Sequence, residues 1–302
     1  MTHKLLSRLA GGAAILASLS ACAPGPEAAP KPEAAAEGFR GPIIDTHAHL
    51  RLGEDDGLTA QHAQGTGELL RLDDAAGVEH SALIVIARRG QTERTRAQND
   101  AVIAAAKQSQ GRFYPVVSVH PADGGAALQE LDRVAALGAK VVKLHPNTQN
   151  FDVSDPAVAT VVQKCGVLGL VVLFDSYKPW DPGEIGKLLL LSIQQPKTRF
   201  VLAHLGFSAF RETVSFAVVG KIGLGGNVWF DLSAIATTYV DSPLEAELVW
   251  TLRKLGIRQV LFGSDWPVDT PAEAADAIRR LGLTSDEQKR VFHDNAAELL
   301  GL

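Results

Sequence analysis

The sequence is expected to fold as an α/β protein, a (βα)8 TIM barrel in a single domain over residues 41–302. Three observations carry that expectation. From Gly41 onward, short β-branched runs alternate with amphipathic stretches rich in alanine and leucine, and there are eight such runs. The runs are continuously apolar rather than alternating, as parallel strands covered on both faces are. Eight strand–helix units over about 260 residues suit a closed parallel barrel. An open doubly wound sheet is the competing arrangement, and it favours a glycine-rich loop after its first strand. Here the first strand runs into His47-Ala48-His49.

Taken in order, the strands are expected at Pro42–His47, Ser81–Ala87, Tyr114–His120, Lys140–Leu144, Leu170–Asp175, Arg199–His204, Val228–Ser233 and Gln259–Gly263. Helices are expected between them, near Gly67–Ala76, Ala97–Gln110, Gly125–Leu137, Pro156–Leu168, Pro182–Gln194, Ala209–Val219 and Pro243–Leu255. A last pair near Pro271–Leu281 and Ser285–Leu300 closes the chain, the latter opened by a capping box from Ser285 to Gln288.

The first forty residues are read differently. Lys4 and Arg8 precede an apolar small-residue run from Leu9 to Leu19, too short to cross a bilayer and shaped like a signal-peptide core. It ends in Leu19-Ser20-Ala21-Cys22, which resembles a bacterial lipobox. Residues 1–21 are thus expected to be a lipoprotein signal. Residues 22–40 would be a lipid anchor on Cys22 and a tether rich in proline, alanine and glutamate. The expected location is outside the cytoplasm, facing the periplasm or cell exterior, held to a membrane through the N-terminal lipid. Cys165 would then be a buried thiol without a partner.

The 302 residues carry a formal net charge of −5, with 46% hydrophobic and 21% charged residues. That composition is that of a folded chain, and it gives no basic excess for binding nucleic acid. Two cysteines cannot build a disulfide scaffold. The expected partner is a small-molecule substrate, and self-association is compatible with the sequence.

In a barrel of this type the active site lies at the carboxyl ends of the strands. Strand one ends in His47 and His49, two apart and so on one side of the chain, a good start for a divalent metal. Strand three ends at His120, and strand four carries Lys143 and His145. Strand five ends at Asp175, strand six at His204, and strand eight runs into Asp265. A lone histidine at a strand end is more often a hydrogen-bonding residue than a ligand, which weighs on His120 and His145. Convergence of several such groups on one end is what points to a site. Arg51, Arg88, Tyr177 and Trp266 follow strand ends and are weaker candidates for contacting substrate, with a solvated loop as the plainer reading of the arginines.

The segments IIDTHAHL (43–50), AKVVKLHP (139–146), GLVVLFDSY (169–177), FVLAHLGF (200–207) and LFGSDWP (261–267) resemble the amidohydrolase superfamily. The resemblance is to its amidohydrolase-related branch of TIM-barrel hydrolases and decarboxylases. It implies that His47 and His49 are metal ligands. It implies that Asp265 binds metal and moves the proton of the attacking water, and that His204 is a second ligand or polarises the substrate. Lys143 matches a strand-four lysine that is carbamylated in binuclear relatives. The strand-five position, a histidine in the family pattern, is Asp175 here.

On that basis the expectation is one divalent ion, most simply zinc with manganese as an alternative, held by His47, His49, Asp175 and Asp265. The reaction would be hydrolysis of a small ester, lactone or amide, carboxylated or not, with Asp265 and His204 catalytic. Two rivals follow from the same residues: a metal-dependent decarboxylase, and a non-catalytic binding lipoprotein on a decayed barrel, for which Asp175 is the main support.

Overall fold

The computed structural model describes residues 38–50 and 65–302, so the expectations for the signal, Cys22, the tether up to residue 37 and Arg51 lie outside the described residues. The eight strands are β1 (Ile43–Asp45), β2 (Val78–Ile84), β3 (Phe113–Ser118), β4 (Val141–Leu144), β5 (Val171–Asp175), β6 (Arg199–Ala203), β7 (Val228–Asp231) and β8 (Val260–Leu261). All are parallel and lie in sequence order, each pairing with the next. The two outer strands are joined by backbone bonds just beyond their ends. Thr46 N–H donates to Phe262 O at 3.0 Å, and His49 N–H to Trp266 O at 2.8 Å. Eight parallel strands in one curled sheet with helices between them make an α/β, TIM-barrel-like fold.

Between the strands run α1 (Thr66–Ala76), α2 (Thr92–Gln108), α3 (Gly125–Ala136), α4 (Pro156–Leu168), α5 (Glu184–Gln194), α6 (Val214–Gly220), α7 (Ile235–Tyr239) and α8 (Glu245–Leu255). After β8 come α9 (Pro271–Arg280), α10 (Ser285–Lys289) and α11 (Asn295–Leu300). The strands bury both faces. Ile44, Ala82, Val116, Val141, Leu173 and Val201 share one apolar cluster. Their neighbours Ile43, Leu83, Val117, Val142, Val172 and Phe200 join the larger cluster that the helices cover. This two-sided burial is why the strands read as unbroken apolar runs.

Several boundaries differ from expectation. β2 starts at Val78 because Val78 and His80 pair in register with Ile43 and Ile44 of β1, although Glu79 and His80 are polar and half-buried. The segment expected as a helix from Ala209 is a 3-10 stretch over His204–Thr213, followed by α6. Left-handed backbone at Leu205, Gly206 and Phe207 breaks the start of that stretch. α7 was not expected. The last helix is interrupted by a π turn over Arg290–Asp294, and within this turn the Val291 carbonyl accepts the N–H of Phe262 at 2.9 Å. The capping box sits one residue earlier than expected. Thr284 caps Glu287, whose charged carboxylate is the better reciprocal acceptor than Gln288. A second box, Thr270 with Glu273, opens α9.

Candidate active site

Strand alternation delivers the polar groups. Val141 and Leu173 lie on the inner cluster, so Lys143 and His145, and then Asp175, continue on that same face past the apolar layer. Trp229 packs against the inner cluster, and Asp231 follows two residues on. The apolar plug ends, and Lys143, Asp175 and Asp231 meet as buried charges with His47, His204 and Asp265. A fully buried lysine and three buried aspartates are tolerated only when they are paired.

His47 is the centre of the group. Its Nδ1 lies 3.0 Å from Asp231 Oδ2 and 3.0 Å from Ser233 Oγ. Its Nε2 lies 3.1 Å from Lys143 Nζ and 3.3 Å from Asp265 Oδ1. His49 Nε2 reaches the same Asp265 oxygen at 3.3 Å. His204 Nδ1 lies 3.0 Å from the Ser233 carbonyl, and the His204 N–H donates to Asp231 Oδ1 at 3.0 Å. Ser233 therefore touches both imidazoles, while Asp231 holds the ring of His47 and the backbone of His204. Gly263 explains part of this placement, since a Cβ there would stand 2.8 Å from His47 Cβ and 3.2 Å from Ser233 Cβ.

His204 and Asp265 both take left-handed backbone, each with φ of 59°, and so does Ala234 with φ of 57°. Non-glycine residues in that region carry strain, which concentrates at functional sites. Here it turns the chain sharply at the ends of β6, β7 and β8.

A second grouping adjoins the first. Asp175 Oδ2 is 3.2 Å from Nε2 of both His145 and His204. Burial works against charge on His204, but Asp265, Asp175 and Asp231 outweigh it and lift its pKa to about 9. Burial dominates at His145 and lowers it to about 3, only partly opposed by Asp175. Burial would raise the Asp265 carboxyl, yet the imidazoles of His47, His204 and His49 hold it below the ordinary carboxylate range. Burial takes the Lys143 amine below its usual value against the pull of Asp175, Asp265 and Asp231. Behind His47, burial raises Asp45 to about 7, although the N–H groups of His47 and Ser264 donate to its Oδ1.

The expected site residues fall into distinct places. His47, His204 and Asp265 offer ligand atoms that all lie within 4.8 Å of one another. His49 meets that trio through Asp265 and through its ring, 5.2 Å from that of His47, and Asp175 faces it through His204. Lys143 and His145 join the same polar layer. His120 does not: its Nε2 is held 2.8 Å from the Gln149 carbonyl and its Nδ1 accepts from Ala122 N–H, so it shapes a turn. Trp266, expected as a pocket wall, is a buried core residue. Tyr177 packs its ring 4.8 Å from that of Phe207. Arg88 is half-buried after β2. Cys165 is a buried thiol, pushed up to about 12 by burial. The residues sequence reasoning missed are Asp231, Ser233 and Asp45. Asp231 had a readable signal, a lone acid at the carboxyl end of the β7 run.

His47 and His204 each face an oxygen acceptor with Nδ1 and turn Nε2 toward Asp175 or Asp265. Metal-binding histidines are held this way, the outer nitrogen donating to a carboxylate or carbonyl. Two imidazoles and a carboxylate are also a donor set suited to a divalent transition ion. The residues present thus fit a metal.

Solved structures with the same architecture include a 2,6-dihydroxybenzoate decarboxylase complexed with 2,6-dihydroxybenzoate. It has a TM-score of 0.68 at 16% identity, covering 87% of this chain and 100% of that one. A dihydroxybenzoic acid decarboxylase from a Polaromonas species, with bound manganese and 2-nitroresorcinol, has a TM-score of 0.68 at 16% identity over 87% and 97% of the two chains. A probable 2-pyrone-4,6-dicarboxylic acid hydrolase from Acinetobacter baumannii, with citric acid bound, scores 0.65 at 18% identity over 86% and 99%. At these identities the likeness is one of fold. No curated protein matches the sequence. The family model for amidohydrolases matches residues 44–302, from within β1 through β8 and the whole polar layer at the mouth, and the chain belongs to the amidohydrolase family.

Proposed function

We propose that this chain is a metal-dependent hydrolase of a small ester, lactone or amide. The observation that carries the reading is the trio His47, His204 and Asp265, with ligand atoms within 4.8 Å of one another at the carboxyl ends of β1, β6 and β8. These three would hold one divalent ion, a set that leaves out the His49 and Asp175 expected from sequence and takes in His204. When bound, such an ion polarises a substrate carbonyl and lowers the pKa of water. Manganese, bound in the Polaromonas decarboxylase, is the first ion to try.

The chain's own groups do the rest. Asp265 is held ionised among His47, His204 and His49 and can take the proton of the attacking water, then return it to the leaving group. His49, 3.3 Å from Asp265 Oδ1, steadies that carboxylate. Asp231 and Ser233 hold the His47 ring in place, and Ser233 holds the His204 ring. Asp175 holds His204 and His145 from the β5 side.

The same residues support a second reading, decarboxylation, because both decarboxylases named above, and further structural neighbours, share this fold. The lipid anchor at Cys22 and an extracytoplasmic location belong to the proposal as well; among the described residues no helix is long and apolar enough to cross a membrane.

Asp265→Asn tests the reading. It keeps shape and loses the base, and hydrolysis of any substrate found in an ester, lactone and amide panel is expected to fall by about 10³-fold or more, with the fold kept. Unchanged turnover in the variant would remove Asp265 from the mechanism.

A further inference from the structure

Lys143 is completely buried, and its Nζ stands 3.1 Å from His47 Nε2. A lysine nitrogen offers N–H donors, and the only unshared pair His47 can present at Nε2 is the one a metal would use, because Nδ1 faces Asp231 and Ser233. One lone pair cannot serve both a hydrogen bond and a coordinate bond. We propose that Lys143 is a positioning residue that competes with the divalent ion for His47 Nε2, so that it weakens binding at the centre and limits it to a single ion.

The placement is built into the sheet. Lys143 pairs in register with Ser118 of β3 and Leu173 of β5, and the Ser118 hydroxyl donates to the Lys143 carbonyl at 2.9 Å. The side chain rises from the inner apolar layer with no route to solvent, so the amine stays beside His47 whether or not an ion is present. Asp175, Asp265 and Asp231 all attract the Lys143 amine, which thereby meets part of the negative charge that a second cation would otherwise balance.

This inference rests on the metal reading above, and one experiment separates their failures. Mn²⁺ is titrated into the full chain and into Lys143→Met, which keeps length and loses the donor, with stoichiometry and affinity read by calorimetry. Intact mass is taken on both. The expected result is one ion in each protein, an unmodified Lys143, and at least tenfold tighter binding in the variant. Equal or weaker binding in Lys143→Met, two ions in the parent chain, or a carboxylated lysine would overturn the inference while leaving the metal reading standing. No binding in either protein would sink the metal reading and this inference with it. Binding in the variant alone would support the competition. If Lys143→Met does not fold, the parent chain decides: Zn²⁺ should shift the ¹³Cε–¹H resonance of Lys143 as His47 is taken from it, and an unmoved resonance at saturation would overturn the proposal.

Discussion

His47 Nδ1 lies 3.0 Å from Asp231 Oδ2, a contact between residues 184 positions apart that joins the first strand of the barrel to the seventh. It fixes which imidazole nitrogen carries the proton, and therefore which one faces Asp265 and Lys143. The Asp231 carboxyl is held well below its ordinary range: burial would raise it, but His47, His204 and Ser233 outweigh burial. Asp231→Asn keeps the shape and discards the charge. Metal affinity, read by competition with a chromophoric chelator, is expected to drop by about 10- to 100-fold, the usual cost of losing a partner behind a ligand histidine. An unchanged affinity would mean that Ser233 alone orients His47.

Gly263 is expected to be intolerant of even one methyl group. Its Cβ would meet the His47 and Ser233 Cβ atoms at 2.8 and 3.2 Å, so Gly263→Ala should push His47 off its partners. The expected cost is about 1–3 kcal/mol in thermal or urea unfolding, together with loss of metal affinity. Gly186 in α5 is the control, since a Cβ there meets nothing within 4 Å. Gly186→Ala should stabilise slightly, by about 0.5–1 kcal/mol.

Asp73, on α1, gives the stability a pH dependence that is independent of the metal trio. It is 1% exposed, and burial, aided by Asp45, raises its pKa to about 8. The folded state then holds the proton more tightly than the unfolded chain, whose carboxyl titrates near 3.8. Its burial is therefore without penalty below about pH 4, and the penalty grows as pH rises toward about 8. Asp73→Asn is expected to flatten that part of the profile and to be the more stable protein at pH 8, by an amount on the order of a few kcal/mol. Denaturant unfolding of both chains at pH 5 and pH 8 checks the sign. A variant that is less stable than the parent at both would mean that Asp73 is a paired carboxylate.

The barrel was legible in the sequence because burial on both sheet faces leaves an unambiguous mark. All eight strands, β1 to β8, fall on the apolar runs, and α4 has the bounds that Pro156 and Leu168 suggest. What was not legible depends on long-range partners. The 3-10 stretch from His204 exists because His204 is held by Asp231 and Ser233, not because of any period in its own residues. The π turn at Arg290–Asp294 places the Val291 carbonyl to receive an amide from beyond β8. In the site, His47, His49, His204 and Asp265 stood out as metal-ligand types at strand ends. Which of them gather could not be read from spacing, since proximity among β1, β6 and β8 is set by barrel curvature. Asp231 went unremarked because one acid at the end of an apolar run looks like a turn residue until its partner across the barrel is seen.

The central claim is that a divalent ion and Asp265 together hydrolyse a small substrate. The most direct measurement is an ester, lactone and amide panel assayed on the purified chain as isolated, after chelation, and after Mn²⁺ or Zn²⁺ is restored, with aromatic carboxylic acids run alongside for CO₂ release. Hydrolysis of at least one panel member is expected, lost on chelation and regained with the ion. Hydrolysis that survives complete metal removal, or release of CO₂ with no hydrolysis in the panel, would contradict it.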